Sequence, residues 1–431
     1  MTRVAEIPNQ VKRIWRHSFQ SELDSALEQQ MRAQALAGVQ TVLESALNEE
    51  VETERHTATD PALQGAYRSG YFTRQVLTSF GAIPTVHVPK LRTGNRARTW
   101  RILQRYQQTM PTVLDKLCYL YTMGLSLRDL EEGLYVLFGH VLSRGAINRV
   151  TLAAQSPMQA WHTQPVTDTP PVLIIDGVWV SIQYPTGETF LDRSGHERYR
   201  VHAQERVILA VLGVWPDGRH QLIHYSIATA EDAASWQTVW QTLCARGLNA
   251  AQVQVVVSDG AKGVLAAMQQ ELPQAHLQRC TVHKVRGFTQ YLRYADLPTV
   301  DADGGSLSQE AARHQRQQAI KTAALAMFDA PTRAEAEGCL QTFIATWQPL
   351  EPAAVRNFTF GIKRCFTFYQ LDAPLHRLVR STNLLERFFR EVRAKTDEIG
   401  AFPNDESCLV LFHLVMLREH AKHDRLDRAK T

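Results

Sequence analysis

The chain has 431 residues, 44% hydrophobic and 21% charged, enough for two or three domains with cores of their own. It contains no run of 18 or more apolar residues, so no membrane span is expected, and its polar, basic start (Met1–Trp15) reads as no secretory signal. A net charge of +4 and a pI of about 8.7 fit nucleic-acid binding and ordinary enzymes alike, while six scattered cysteines (Cys118, Cys244, Cys280, Cys339, Cys365, Cys408) read as reduced thiols of a cytosolic protein.

Apolar residues at helical spacing over 10–56 (Leu23, Leu27, Met31, Leu36, Val39, Leu43, Leu47) predict one or two amphipathic helices, ended by Pro61 and Gly65. Residues 71–92 switch to a strand-like pattern around Val76, Ile83, Val86 and Val88. From Lys90 to Arg105 come six basic residues (Lys90, Arg92, Arg96, Arg98, Arg101, Arg105) and no acid, after an acidic block from Glu44 to Glu54. That asymmetry fits one surface facing a polyanion, and equally a solvated charged loop.

Residues 111–155 read as three short helices, opened by Pro111, Ser126 and Ser143 and broken at Gly124 and Gly139. With Arg144, Asn148 and Arg149 on the last, the pattern is that of a helix-turn-helix touching DNA. An ordinary helical bundle fits it too. Pro165, Pro170 and Pro171 mark a linker.

Beyond it the character changes. Val172–Ile175 runs into Asp176; Val207–Leu212 and His220–Ile227 read as strands; 232–246 carries Trp236, Val239, Trp240 and Leu243 at helical period. Val253–Val257 is a buried strand leading to Asp259, 263–272 a helix, and 275–280 a short strand. The order is three strands, helix, strand, helix, strand. Residues 296–380 read as an inserted helical stretch before a final helix at 381–395.

Asp176 and Asp259 each follow a buried strand. Neighbouring strands would bring the two carboxylates together, where they repel unless protonated or bridged by a cation. Hard oxygen donors suit Mg²⁺, and Glu386 on the last helix is the best third acid. Two ions roughly 4 Å apart can stabilise the attacking and leaving oxygens of an in-line displacement at phosphorus. Each acid also has a plainer reading: Asp176-Gly177 and Asp259-Gly260 as turns, and Glu386 as the partner of an Asn383 cap. Arg387, Arg390, Arg393 and Lys395 follow Glu386 at helical spacing, placed to grip phosphates. Cys280 and His283 have zinc-ligand spacing but no second tight pair, so packing or hydrogen bonding beneath the site is the better reading. Trp347 reads as core, with stacking on an unpaired base as the alternative.

In combination these segments resemble Mutator-type transposases of bacterial insertion sequences. The resemblance is carried by Ile175-Asp-Gly-Val-Trp179, Val257-Ser-Asp-Gly-Ala-Lys-Gly263, Gln278-Arg-Cys-Thr-Val-His283, Ser381-Thr-Asn-Leu-Leu-Glu-Arg387 and Arg393–Pro403, with Tyr67–Gly70 and Val88–Arg92 upstream. The chain departs from the family pattern at Ala261, Gly287 and Ala394, none of them one of the three acids. The resemblance implies a ribonuclease-H-like α/β core, a mixed sheet with helices, at 166–295 and 381–415. A helical insertion at 296–380 would interrupt it; a basic, helical DNA-binding region at 1–105, a helix-turn-helix-like domain at 106–165 and a tail at 416–431 would flank it. It implies a DDE enzyme with Asp176, Asp259 and Glu386 as catalytic and metal-binding residues holding two Mg²⁺ ions, Mn²⁺ able to substitute and no small-molecule cofactor. Substrates would be double-stranded terminal inverted repeats and target DNA, gripped by a homodimer of a bacterial, cytoplasmic, nucleoid-associated protein. The rivals are a structure-selective nuclease of the same core and a DNA-binding regulator without catalysis.

Overall fold

The structure of the protein, a computed structural model, describes residues 22–57, 67–92, 102–103, 109–122, 125, 129–130, 154–191, 195–299 and 306–428. The chain forms two compact units, Met1–Thr151 and Leu152–Thr431.

In the first unit a single long helix, α1 (Glu22–Thr57), packs on an antiparallel hairpin, β1 (Tyr67–Thr78) and β2 (Gly81–Arg92). Leu43, Leu47 and Val51 of the helix meet Val76, Ile83, Val86 and Val88 of the hairpin. Glu44 on α1 accepts the backbone N–H of His87 at 2.9 Å and faces its ring at 3.0 Å. This uses part of the acidic block to tie helix to sheet. Helix α2 (Pro111–Thr122) adds Val113 and Leu117 to a small cluster with Leu77 and Leu130. The rest of the expected helix-turn-helix lies outside the described residues.

The second unit begins before Pro165. Helix α3 (Gln155–Thr163) stacks Trp161 on Tyr225 with 5.1 Å between ring centroids. Arg246 clamps the stretch after it, donating to Gln164 O (2.9 Å) and Ile223 O (2.8 Å). Residues 154–165 therefore pack with the following sheet, and the division falls at Thr151 rather than at the prolines.

That sheet has five strands: β3 (Val172–Leu191), β4 (Glu197–Val214), β5 (His220–Ala228), β6 (Val255–Ser258) and β7 (His276–Arg279), in the order β5-β4-β3-β6-β7. The first three are antiparallel neighbours; β6 and β7 join parallel to β3. Parallel neighbours need crossovers, and helices α4 (Ala233–Ala245) and α5 (Lys262–Glu271) supply them. Both cover one sheet face, where Trp236, Val239, Trp240, Val264 and Met268 meet Leu173, Ile175, Leu209 and Leu277. Beyond the core, β3 and β4 continue as a two-stranded ribbon exposed over 185–191 and 197–203.

Helix α6 (Thr281–Phe288) follows β7 directly. It is the footing for the helical region: α7 (Gln309–Ala326), α8 (Arg333–Trp347), α9 (Pro352–Thr359), a 3₁₀ stretch (Ile362–Gln370) and α10 (Ala373–Val379). Phe288 packs on Phe358 and Phe343, with centroids 4.7 and 6.2 Å away. Buried Lys284 donates to Asn357 O (2.7 Å) and Phe360 O (2.9 Å). The free edge of β7 is covered, since Thr367 donates to Leu277 O (2.8 Å) and Phe368 N donates to Gln278 Oε1 (2.8 Å).

Helix α11 (Asn383–Ile399) lies along β3, and α12 (Asp405–Arg428) packs Phe412 on Tyr225 of β5. Between them Phe402 extends the sheet: its N–H donates to Ser181 O and its carbonyl accepts from Gln183 N, both at 2.8 Å. Position 415, the expected end of the core, falls inside α12, where Val415 and Met416 are fully buried. No glycine or proline interrupts 405–428, so nothing stops the helix there.

Candidate active site

Strand β3 does not end at Asp176; it runs on to Leu191. What ends there is its pairing with β6, whose last partner pair is Ile174 with Val257. Asp176 and Asp259 each lie two residues past that pair, at the same level of the sheet, where the two strands part. Asp176 Oδ1 accepts the N–H of Gly177 at 2.9 Å. Asp259 caps its own turn, its Oδ1 accepting Ala261 N at 2.8 Å, while Arg279 Nε holds the Asp259 carbonyl at 3.2 Å. The turn reading and the acid reading coexist at this residue.

Glu386 comes in on the first turn of α11. The cap is Thr382, not Asn383. Its hydroxyl donates to Glu386 Oε1 at 3.3 Å and also lies 3.5 Å from Cys280 Sγ. His283 Nε2 is 3.7 Å from the same Glu386 Oε1. Cys280, His283 and Glu386 each offer an atom within 4.8 Å of the others. Burial alone would raise the Cys280 thiol, but hydrogen bonds from His283 and Thr382 outweigh it and hold it below the usual thiol range. Chiefly through that bond to Cys280, and with Glu386 and Asp176 adding, His283 is raised to about 9 despite burial. At neutral pH the imidazole is a cation beside the acids; its Nε2 and the Thr382 hydroxyl share Glu386 Oε1, while its buried Nδ1 approaches Cys280 without normal hydrogen-bond geometry.

Burial pushes the Asp176 carboxyl up to about 6; Glu386 and Asp259 add to the rise, and the Gly177 N–H and His283 oppose it. These neighbours place all three expected acids in one electrostatic cluster. A fourth acid, absent from the sequence expectations, belongs to it. Glu231 sits between β5 and α4, half-buried, and burial followed by Asp259 and Asp176 raises it to about 7. Four carboxylate groups crowded against one imidazolium make a donor set of hard oxygens short of positive charge, which fits divalent cations of the Mg²⁺ class.

The basic residues of α11 separate by face. Arg387, Arg390 and Arg393 are exposed, but Lys395 is 1% exposed. Lys395 lies one helical repeat on from Phe388 and Val392 in the buried stripe, so it presents no charge to DNA in this conformation. Beside Arg387 a cleft of about 450 Å³ opens between α6, α10 and the start of α11, with Arg377 and Arg380 also in its wall. Trp347 ends α8, half-buried. In the first unit Lys90 is exposed near the end of β2 and Arg92 closes that strand. Arg96, Arg98, Arg144, Asn148 and Arg149 lie outside the described residues.

Comparison with known proteins covers nearly the whole chain. Residues 9–303 and 306–425 match the family described as Transposase, Mutator family. A transposase for insertion sequence element ISRM5 of Rhizobium meliloti (strain 1021) is 26% identical, covering 89% of this chain and 85% of its own. The transposase for IS256 in transposon Tn4001 of Staphylococcus aureus is 24% identical over 93% of both. Among solved structures, a Drosophila P element transposase strand transfer complex covers 78% of this chain and 82% of its own, at 12% identity and a TM-score of 0.30, too loose to carry a fold assignment. On the family match, the chain belongs to the Mutator family of transposases.

Proposed function

We propose that this protein is the transposase of a bacterial insertion sequence, and that it cuts the element's terminal inverted repeats and joins their 3′-hydroxyl ends to target DNA by DDE chemistry. The observation that carries the reading is the convergence of Asp176, Asp259 and Glu386, from three separate segments, on one electrostatic cluster. The β5-β4-β3-β6-β7 order, three antiparallel strands continued by two parallel ones, supports a ribonuclease-H-like core. On this reading the helices between α6 and α11 form the family's insertion.

Asp176, Asp259 and Glu386 would hold two Mg²⁺ ions, or Mn²⁺ in their place. Such ions, when bound, stabilise both the attacking and the leaving oxygen of a phosphodiester displacement. The chain's own residues set the stage. Thr382 and His283 both approach Oε1 of the Glu386 carboxylate, at 3.3 and 3.7 Å. The imidazolium offsets part of the acids' mutual repulsion. Arg387, Arg390 and Arg393 offer phosphate contacts next to the acids, with Lys90, Arg92 and the basic stretch after them as a second, sequence-independent grip. Two element ends need two active sites, so the working form is at least a homodimer on double-stranded DNA.

The test is a strand-transfer assay on an oligonucleotide carrying the element end, with Mg²⁺ or Mn²⁺. Asp176→Asn, Asp259→Asn and Glu386→Gln should each abolish cleavage and joining while DNA binding in a mobility-shift assay persists. Full activity in any one of them overturns the assignment. Cleavage without joining would favour the nuclease reading, and metal-dependent activity of any kind excludes the non-catalytic regulator.

A further inference from the structure

We propose that Glu231 is a fourth metal-binding carboxylate of this site, reaching the Asp176–Asp259 level from the sheet face covered by α4 and α5. The proposal rests on the reading of the three acids as a metal centre and extends it to a residue outside the expected triad.

The backbone around Glu231 is cleared for it at two places. Along β3, residues 173 and 175 point toward α4 and α5, so by alternation position 177 points the same way. That position is glycine. A Cβ there would lie 3.0 Å from Glu231 Oε2, 3.3 Å from its Cδ and 2.8 Å from Val207 Cγ2. The carboxyl group thus rests over Gly177, directly next in sequence to Asp176, in space any other side chain would contest. A glycine inside a buried strand commonly marks such a close approach. The second place is Gly263, on the first turn of the helix that follows Asp259. A Cβ there would lie 2.9 Å from Ala233 N and 3.1 Å from Asp232 C. The start of α5 is pressed on the start of α4, which fixes the segment carrying Glu231 beside the turn carrying Asp259.

A structural carboxylate in such a place would be expected to have its oxygens satisfied. No hydrogen bond of normal geometry and no ion pair reaches Glu231 among the described residues. The nearest offer is the indole of Trp236, one turn along α4. It is completely buried, and its N–H approaches Glu231 without closing a hydrogen bond, leaving a buried donor without a partner. The segment has its own cap, Asp232, whose Oδ1 accepts Ser235 N at 2.8 Å, so Glu231 is not needed to start the helix. An acid held among other acids, with no hydrogen-bond partner for its oxygens and a glycine where its carboxyl group rests, has the properties of a cation ligand. With Glu231 included, the four carboxylates match the charge of two divalent ions.

The experiment measures metal binding directly. Free Mn²⁺ is followed by electron paramagnetic resonance during titration of the full-length protein at pH 7.5, without DNA. Glu231→Gln keeps the volume and removes the charge; Glu231→Asp keeps the charge and draws it back by one methylene. Circular dichroism and a thermal melt in EDTA establish that each variant is folded. Wild type should bind two ions. Glu231→Gln should lose at least tenfold in affinity for one of them, and Glu231→Asp should fall between. A purely structural Glu231 would leave the Mn²⁺ isotherm of a folded variant unchanged, and that result overturns the proposal. Asp176→Asn run alongside separates the two readings. If it loses Mn²⁺ and Glu231→Gln does not, the triad stands and Glu231 falls; if neither loses it, both fall. If Glu231→Gln does not fold, the Glu231→Asp isotherm decides, and wild-type binding there is equally fatal.

Discussion

Replacing Asp176 by Asn should make the metal-free protein more stable while destroying its activity. Burial and its neighbours raise this carboxyl from 3.8 to about 6. The folded protein therefore holds that proton more tightly than the unfolded chain does. Stability from this group grows as pH falls through about 6 toward 3.8, and above pH 6 the ionised carboxylate is a cost. A gap of about two units corresponds to roughly 3 kcal/mol. Partial solvent access screens the repulsion, so about 1–2 kcal/mol is the working figure. The Asn amide oxygen can still accept the Gly177 N–H, so the local hydrogen bond survives. For a unit of this size each kcal/mol moves Tm by about 2–4 °C. Differential scanning fluorimetry in EDTA at pH 7.5 should show the variant melting about 3–6 °C above wild type, with the gap closing as pH approaches 4. Added Mn²⁺ should raise wild type and leave the variant behind, because only a ligand bound to the fold stabilises it. A variant that melts at or below wild type in EDTA at pH 7.5 refutes the repulsion argument.

Three further outcomes follow from the geometry. His162, His224 and His413 are held by burial at about 4, 3 and 4, so the stability they contribute is present above pH 6.5 and lost as pH falls below it; their NMR resonances should keep neutral-form shifts down to pH 5, and a midpoint near 6.5 at any of the three would contradict this. Gly263→Ala drives a Cβ against the Ala233 backbone N and should cost about 1–3 kcal/mol by urea denaturation; an unchanged midpoint would deny the close approach. Arg387→Ala with Arg390→Ala should weaken DNA binding across sequences and lower the slope of log affinity against log salt by about two, and an unaltered slope would remove α11 from the DNA face.

Much of the second unit was legible in the sequence because burial on both faces leaves a strong mark. Val172–Ile175 and Val255–Val257 are unbroken β-branched or aliphatic runs, and each leads to an acid that the register places at one level. Three features escape the sequence pattern for local reasons. Glu231 stands in Ala228-Thr-Ala-Glu-Asp232, which reads as a polar turn before a helix; the available signal lay elsewhere, in Gly177 interrupting a strand. Helix α6 is too short, and too polar at Lys284 and Arg286, to stand out by period, yet it carries His283. Charge alone points Lys395 at DNA, whereas its spacing from Phe388 and Val392 puts it in the buried stripe. By residue type Asn383 is the stronger cap former, whereas the helix starts after Thr382, whose N–H and hydroxyl both meet Cys280 Sγ.

The order in which the acids occur along the chain has a consequence during synthesis. Asp176 lies on β3 and Asp259 directly follows β6, two strands that can pair as soon as β6 has emerged, but Glu386 arrives on α11 only after the whole helical region has been made, and α12, which packs across the same sheet, comes later still. A nascent chain thus completes its basic N-terminal segments and most of its sheet while still lacking the third carboxylate. On the proposed chemistry, the ability to grip DNA matures first and the ability to cut it last, so chains stopped before α11 would compete for element ends without breaking them.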